Sequence, residues 1–408
     1  VRSVVAVLLL VAAGLVPAAA ADRPAGLVRI ATFNCSLNRP TPGGLRASLA
    51  TPDDAQARAV AEIIQRVRPD VLLLQEFDYD ADGESMGRFL ANYLAVSQNG
   101  QEPLAYAHTF SAPSNTGVPS GFDFDHDGKV GGGGDALGFG EFPGQYGMAL
   151  FSKFPLQPTR TFQKFLWRDM PGAQLPTGWY SKEQLAVLPL SSKSHWDVRV
   201  TLSSHGALHL LVSHPTPPAF DGPEDRNGRR NHDEIRFWSD YLSRARYIRD
   251  DRGKRGGFRG GSFIIMGDQN SDPVDGASLH DGITTLLAHP KLNSSFIPAS
   301  DGAAEAAAVQ GGVNATQQGD PRHDTADFFD GSAGNLRVDY LLPSRDLTVC
   351  GGGVFWPKQA APESRLVWGD RPAPSSDHRL VWLDITSGKA RCPPDSDPTA
   401  SGSSHPRR

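Results

Sequence analysis

Cysteine is scarce in this chain. Only Cys35, Cys350 and Cys392 are present, with no Cys-x-x-Cys pair and no Cys/His zinc spacing, so a thiolate zinc module is excluded. Charge of one sign is also lacking. The formal net charge is −5, too slight and of the wrong sign for a global field that gathers nucleic acid, which argues against a non-enzymatic nucleic-acid-binding module. Metal chemistry survives this test, because a bound cation supplies its own local positive charge. No internal repeat is visible, so no repeat architecture is expected. The single long apolar run, Val4 to Val16, is too short to cross a membrane comfortably.

What is abundant is glycine and proline, 43 and 32 residues, alongside 39% hydrophobic residues. That combination predicts a sizeable core joined by many turns and long loops, and not a helical bundle. Arg2, the apolar run, Pro17 and the small residues Ala18 to Ala21 have the order of a secretory signal cut near Ala21. The expected organisation is a signal peptide over 1–21, one catalytic domain over 22–386 with a Gly-rich insertion near 99–143, and a disordered tail over 387–408. The mature protein is expected to be secreted, extracellular or periplasmic, with no membrane span, no stable protein partner, and a monomeric state. An exported chain keeps disulfides. Cys350 and Cys392 are the candidate pair, their bridging left open, whereas Cys35 follows an apolar strand and reads as a buried free thiol.

Hydrophobic spacing predicts strands at 28–34, 71–76, 145–152, 196–202, 209–214, 263–268, 336–342, 347–349 and 380–384. Helices are expected at about 54–67, after a cap at Asp53 or Asp54, and at 86–96, 231–249 and 279–289. Residues 156–190 read as irregular, and 301–330 as a low-complexity mobile loop. Several predicted strands end on chemically capable residues: Asn34, Glu76, His214, Asp268 with Asn270, Asp339, and Asp377 with His378. The run Phe263 to Met266 stops at Gly267 and releases Asp268, Gln269, Asn270 and Ser271. If the strand persists, Asp268 and Asn270 point the same way. Alone, such a stretch is more simply a strand followed by an Asx-rich turn. Asp272 is carried away by the turn at Pro273.

Phe33-Asn34, Leu74-Gln75-Glu76, Gly267-Asp268-Gln269-Asn270, Arg337-Val338-Asp339-Tyr340 and Ser376-Asp377-His378 stand in an order that resembles the endonuclease/exonuclease/phosphatase superfamily, over roughly Arg29 to Asp384. Each motif is weak singly; five in order are specific. The resemblance implies an α+β fold, a four-layer α/β/β/α sandwich of two mostly antiparallel sheets flanked by helices. It implies hydrolysis of a phosphoester substrate, including nucleic acid in some members, with Mg²⁺ or Mn²⁺. A phosphoester repels an anionic nucleophile, so the site needs cationic charge, a positioned water and a proton for the leaving oxygen. Glu76, Asn34 and Asp377 offer hard oxygen donors for the metal. Asp268 would position or deprotonate water, while Asn270 and Asn34 would contact phosphate. His378 would act with Asp339 as its orienting partner. His214 matches a general-acid histidine of the deoxyribonuclease-like members, but Thr216 stands where their His-x-Asn has Asn.

Other stretches lie outside those motifs. Asp123-Phe124-Asp125-His126-Asp127-Gly128 is the first half of a calcium loop, making Asp123, Asp125 and Asp127 candidate ligands of a structural Ca²⁺. The twelfth position is Gly134, with Asp135 next door; the plainer alternative is an acidic surface loop. The charge-dense 221–234 segment offers Arg226, Arg229 or Arg230 to phosphate, against the alternative of a solvated loop and helix start. Ser192 to Trp196, including Lys193, is a further candidate for substrate contact, and Tyr146 serves equally well as core packing. Function is expected to be phosphodiester cleavage. Phosphomonoester hydrolysis, or a dead hydrolase scaffold used for binding, are the alternatives.

Overall fold

The protein is described as a computed structural model covering residues 26–202, 206–369, 373–387 and Cys392. The expected signal peptide, nearly all of the expected tail and His205 lie outside the described residues. Along the chain the strands are β1 (Val28–Asn34), β2 (Val71–Gln75), β3 (His108–Phe110), β4 (Met148–Ser152), β5 (Leu156–Thr161), β6 (Trp196–Leu202) and β7 (Gly206–Val212). Then come β8 (Phe263–Asp268), β9 (Ala326–Asp327), β10 (Asn335–Leu336), β11 (Asp339–Pro343), β12 (Leu347–Val354) and β13 (Val381–Ser387). The helices are α1 (Gly44–Ser48), α2 (Ala55–Val67), α3 (Glu84–Phe89), α4 (Lys182–Leu185), α5 (Arg226–Leu242), α6 (Asp281–Leu287) and α7 (Asp301–Gln310). Among the described residues no helix is long and apolar enough to cross a membrane.

Two large sheets carry the fold. One has six strands in the order β12-β13-β1-β2-β4-β3; the other has five in the order β11-β8-β7-β6-β5. Within each, one pair is parallel, β1 with β2 and β7 with β8, and the remaining pairs are antiparallel. The reason β8 is apolar without alternation is visible in its packing. Ile264 and Met266 join the core shared with β1, β2 and α2, whereas Phe263 and Ile265 pack with Trp238, Tyr241 and other residues of α5. A strand covered on both faces needs apolar side chains on both. Burying side chains such as Ile264 and Met266 contributes roughly 1.5–3 kcal/mol each. The four-layer sandwich predicted from the motifs is therefore present, with α2 against the first sheet and α5 against the second.

Local signals explain most boundaries. Asp54 Oδ1 accepts from Ala57 N at 2.8 Å and caps α2, which ends where Arg68 turns left-handed at φ 53° before Pro69. The expected helix at 231–249 instead spans 226–242. It stops because Ser243 and left-handed Arg244 break the spiral and Tyr241 O accepts from Phe258 N; Ile248 is still buried, but from the loop. The strand expected at 336–342 divides into β10 and β11, and the one at 347–349 extends to Val354.

Residues 301–330 correct the expectation of a mobile loop. Ser300 Oγ accepts from Gly302 N to start α7, and Ala303 and Ala306 are fully buried. A Cβ on Gly302 would lie 1.9 Å from Trp356 O. The small residues that looked like low complexity are what lets the helix lie against backbone. The Cys350–Cys392 disulfide, with Cα atoms 5.3 Å apart, fastens β12 to a point 42 residues on, and Cys35 is a buried free thiol.

Two positions test this account. Gly267 has φ 139°, and a Cβ there would meet Ser213 O at 2.0 Å. Gly267→Ala should destabilise the protein by about 1–3 kcal/mol, as overpacking does; an unchanged denaturant midpoint would refute the close approach. Asp324 is 7% exposed, and its Oδ2 has no hydrogen-bond partner. Burial, then Asp272, Asp275 and Asp320, push this carboxyl up to about 8. A folded-state value above the unfolded one means that its favourable contribution is full below about pH 4 and is lost as pH rises through about 8. Asp324→Asn should therefore raise the thermal midpoint at about pH 9 and leave it little changed near pH 4; equal effects at both would contradict the assignment.

Candidate active site

Asp268 closes β8, and the register pairs it with Asp339 at the start of β11. Its neighbours arrive from the ends of other strands. Asn34 at the end of β1 donates through Nδ2 to Asp268 Oδ2 at 3.1 Å and to Glu76 Oε1 at 3.3 Å. Glu76 follows β2, and its Oε2 accepts from Asn38 Nδ2 at 2.9 Å. His214, two residues past β7, brings Nε2 to 3.4 Å from Asp268 Oδ2, and His378, just before β13, brings its Nε2 to 3.7 Å from the same oxygen. Each parallel pair, β1–β2 and β7–β8, thus delivers two chemical side chains to one end of the sandwich.

A second tier fixes this cluster. His378 Nδ1 lies 2.9 Å from Asp339 Oδ2, which also accepts from Thr325 Oγ1 at 2.8 Å. The backbone N–H of His378 donates to Ser376 Oγ, and Phe328 packs edge-on to its ring. Ser36 Oγ donates to Asp377 Oδ1 at 3.1 Å. Two non-glycine residues in the site, Glu76 at φ 55° and Asn270 at φ 50°, are held in the left-handed region, a cost that concentrates where geometry is constrained for function. The chain therefore turns after Asp268 and does not continue as a strand. Asn270 nevertheless stays in the cluster: its N–H donates to Asp268 Oδ1 at 2.8 Å, and its Nδ2 lies within hydrogen-bond distance of Pro215 O and Asp268 Oδ2.

Burial dominates the electrostatics. Asp268 is pushed up to about 7, first by burial, with His378 opposing and Asp339 reinforcing the rise. Burial alone would lower His378, but the carboxylates Asp339, Asp268 and Asp377 outweigh it and lift the imidazolium to about 10. Glu76 is raised by burial and by the charge of Asp377. His214 goes the other way, well below the ordinary range, through burial and the positive charges of Lys193 and His378. Both effects favour the neutral ring of His214, and its Nδ1 has no hydrogen-bond partner.

Among the described residues no Lys or Arg is ion-paired with Glu76, Asp268 or Asp377. The charge of Asp377 is near enough to Glu76 to raise it, and Glu76, Asn34 and Asp377 are residues whose side-chain oxygens are of the hard type that a divalent cation takes. Asp268, Asp339 and His378 also place ligand atoms within 4.8 Å of one another. Within that group His378 Nδ1 and Asp339 Oδ2 are already joined by the 2.9 Å hydrogen bond.

The remaining sequence candidates fall outside the cluster or support it. Arg226 is ion-paired with Glu224 and sits over the Trp179 ring. Arg230 is buried and donates to the carbonyls of Leu190, Pro189 and Leu137. Neither phosphate contact nor a solvated helix start, the alternative for the charge-dense 221–234 stretch, describes its end, where Asn231, Asp233 and Glu234 are fully buried. Glu234 is one residue that the sequence did not mark. Its Oε1 accepts from Ser192 N at 2.6 Å, and its Oε2 accepts from Thr216 N at 2.7 Å. It thereby joins the segment carrying Lys193 to the loop after His214. Lys193 is itself buried, and its ammonium faces the charges of Glu234, Glu76 and Asp268, although desolvation lowers its pKa. Asn38 and Thr325 were missed too; nothing in their local sequence distinguishes them. Asp272 holds its turn, accepting from Val274 N, Asp275 N and Arg337 N.

The dyad predicts a titration. In protein stripped of metal, the His378 ring should stay protonated through neutral pH and titrate near 10, and Asp339→Asn should bring that value down. Ring-carbon NMR would measure both; a wild-type ring titrating in the ordinary histidine range would overturn the pairing.

A family model described as "Endonuclease/Exonuclease/phosphatase family" matches residues 31–378. Among solved structures, an endonuclease/exonuclease/phosphatase from Beutenbergia cavernae is similar at 18% identity and a TM-score of 0.50, over 89% of this chain and 72% of that one. TDP2 from D. rerio, complexed with single strand DNA product, has 10% identity and a TM-score of 0.44 over 88% and 99% of the two chains. Sphingomyelinase C from Streptomyces griseocarneus has 14% identity and a TM-score of 0.44 over 88% and 99%. The likeness to the Beutenbergia protein is one of fold. No curated protein sequence matches the chain.

Proposed function

The chain belongs to the endonuclease/exonuclease/phosphatase family, whose members are metal-dependent phosphoester hydrolases, and on that premise we propose that it is an exported phosphodiesterase. The observation that carries the reading is the junction at Asp268 Oδ2, which lies 3.4 Å from the neutral His214 ring and 3.7 Å from the charged His378 ring. A diester leaves as a poor alkoxide, so it gains most from a second imidazole beside the water-activating group.

In this reading Asp268, lifted to about 7, is placed to accept the proton of an attacking water near neutral pH. The imidazolium of His378, oriented by Asp339, attracts the phosphate and stabilises charge on its nonbridging oxygens. Asn270 and Asn34 contribute neutral N–H donors as the phosphate displaces their present contacts. His214 is neutral before substrate arrives; an incoming phosphate anion raises its affinity for a proton, which it can then hold against the leaving oxygen. A divalent cation, Mg²⁺ or Mn²⁺, held by Glu76, Asn34 and Asp377, would neutralise phosphate charge. Export is supported by the apolar leader and by the Cys350–Cys392 disulfide, a bond that persists in oxidising compartments. Extracellular nucleic acid is the proposed substrate class. Phosphomonoesters are the second reading, favoured by the net charge of −5, which weakens attraction to a long polyanion.

Turnover of bis-p-nitrophenyl phosphate, p-nitrophenyl phosphate and plasmid DNA, with Mg²⁺, Mn²⁺ or Ca²⁺, separates these readings. Diester turnover is expected; preference for the monoester would reject the first reading, and no turnover on any of the three would reject both. Glu76→Gln should lower kcat/KM by about 10²–10³-fold, the scale of losing one charge-stabilising group, and wild-type activity in that variant would remove Glu76 from the site.

A further inference from the structure

The 99–143 insertion contains a second group of carboxylates, away from the motifs of the active site. Asp123, Asp125 and Asp135 bring one oxygen each to within 4.8 Å of one another. Asp127, the third acid of the sequence pattern, is not among them; it is exposed, and its Oδ1 accepts from Lys129 N at 2.8 Å. Asp135 takes its place because the short helical turn Gly133–Asp135 swings it inward, where it is 3% exposed. A Cβ on Gly134 would lie 2.0 Å from Asp125 Oδ2, so glycine there is what admits the Asp125 carboxylate.

A separate observation points to a ligand. Asp123 Oδ1 is cut off from solvent and has no hydrogen-bond partner. Among the described residues no Lys or Arg is ion-paired with Asp123, Asp125 or Asp135. Backbone N–H groups of the loop meet part of this charge: Gly128 N donates to Asp123 Oδ2, Asp127 N to Asp125 Oδ1, and Phe124 N and Gly131 N to the two oxygens of Asp135. Asp123 Oδ1 is still left buried and unpaired, which is costly for a carboxylate, and the three crowded carboxylates repel one another. The loop around them is nevertheless fixed to the body. Gln184 Nε2 donates to Asp123 O at 2.7 Å, Trp179 Nε1 donates to Phe124 O at 3.1 Å, and His126 stacks on Trp179 with ring centroids 4.1 Å apart.

We propose that Asp123, Asp125 and Asp135 form a calcium site that locks the insertion onto the 179–184 segment. Oxygen donors of this number of charges, carried on an irregular loop, suit a hard cation. Ca²⁺–oxygen distances of about 2.3–2.6 Å let ligand oxygens lie up to about 5 Å apart across the ion, wider than Mg²⁺ permits. The site is independent of the phosphodiesterase reading, and its test does not use turnover.

The experiment uses the full chain after chelator treatment, titrated with Tb³⁺ while tryptophan is excited. Trp179, stacked on His126 beside the site, should sensitise terbium emission, and Ca²⁺ should quench that emission by displacement where equal Mg²⁺ does not. Asp125→Asn should weaken binding by about tenfold or more, since affinity follows ligand charge. Trp179→Phe should remove the emission while calorimetry still detects Ca²⁺. Glu76→Gln should leave the emission intact. Emission unchanged by Asp125→Asn, or abolished by Glu76→Gln alone, would overturn the proposal. Should Asp125→Asn fail to fold, wild-type protein decides the matter: it must bind Ca²⁺ by calorimetry and gain several degrees of thermal stability, and failure of either rejects the site.

Discussion

Everything at the candidate active end of this molecule depends on one buried carboxylate. Asp268 sits at 1% exposure with a backbone N–H and side chains on every side, and water cannot screen its charge. Such a group persists only if its surroundings supply hydrogen bonds and positive charge. Asn34 and Asn270 supply the first, and His378 supplies the second. The balance leaves Asp268 near the middle of the pH range, where a proton can be both taken and released. The His378 charge is in turn tolerable only because Asp339 holds Nδ1, and Asp339 is held by Thr325. Removing any one of these groups leaves another charge buried without compensation.

The scaffold explains how such a network can be rigid. Its members stand at the ends of strands whose other residues are locked in a core. Gly267 lets β8 approach β7 so closely that a methyl group would collide with Ser213 O. From outside the sheets, Glu234 on α5 ties the Lys193 segment to the loop after His214. The insertion reaches the same segment: Asn115 N donates to Lys193 O, and Gly138 packs against Ser192 O. A calcium ion in that insertion would therefore stiffen a part of the chain that borders the candidate active site without entering it.

Much of this was readable before any coordinates. Period-two and apolar-run signals located β1, β2, β6, β7 and β8 because each combines β-favouring residues with a clear polar stop. Asp54 and Pro69 marked the ends of α2 for stereochemical reasons that act locally. Where small or charged residues were misread, the cause was long-range. Gly302 and the alanines after it looked like filler because the backbone of Trp356 and Pro357 against which Gly302 lies is distant in sequence. Nothing local marked Glu234, because its partners, Ser192 and Thr216, belong to other elements.

The sequence by itself determined the family, the order of the chemical residues and the sandwich, since these follow from motif order and from patterns of burial that local physics dictates. Only the tertiary structure decided which groups share a charge. It turned the chain at Asn270 and held it in the cluster, and it shifts His214 and His378 in opposite directions, the first down mainly through burial and the second up through the carboxylates around it. In the insertion it put Asp135 where the sequence offered Asp127. Burial and electrostatic coupling are properties of atoms brought together from distant positions, and no local run of residues encodes them.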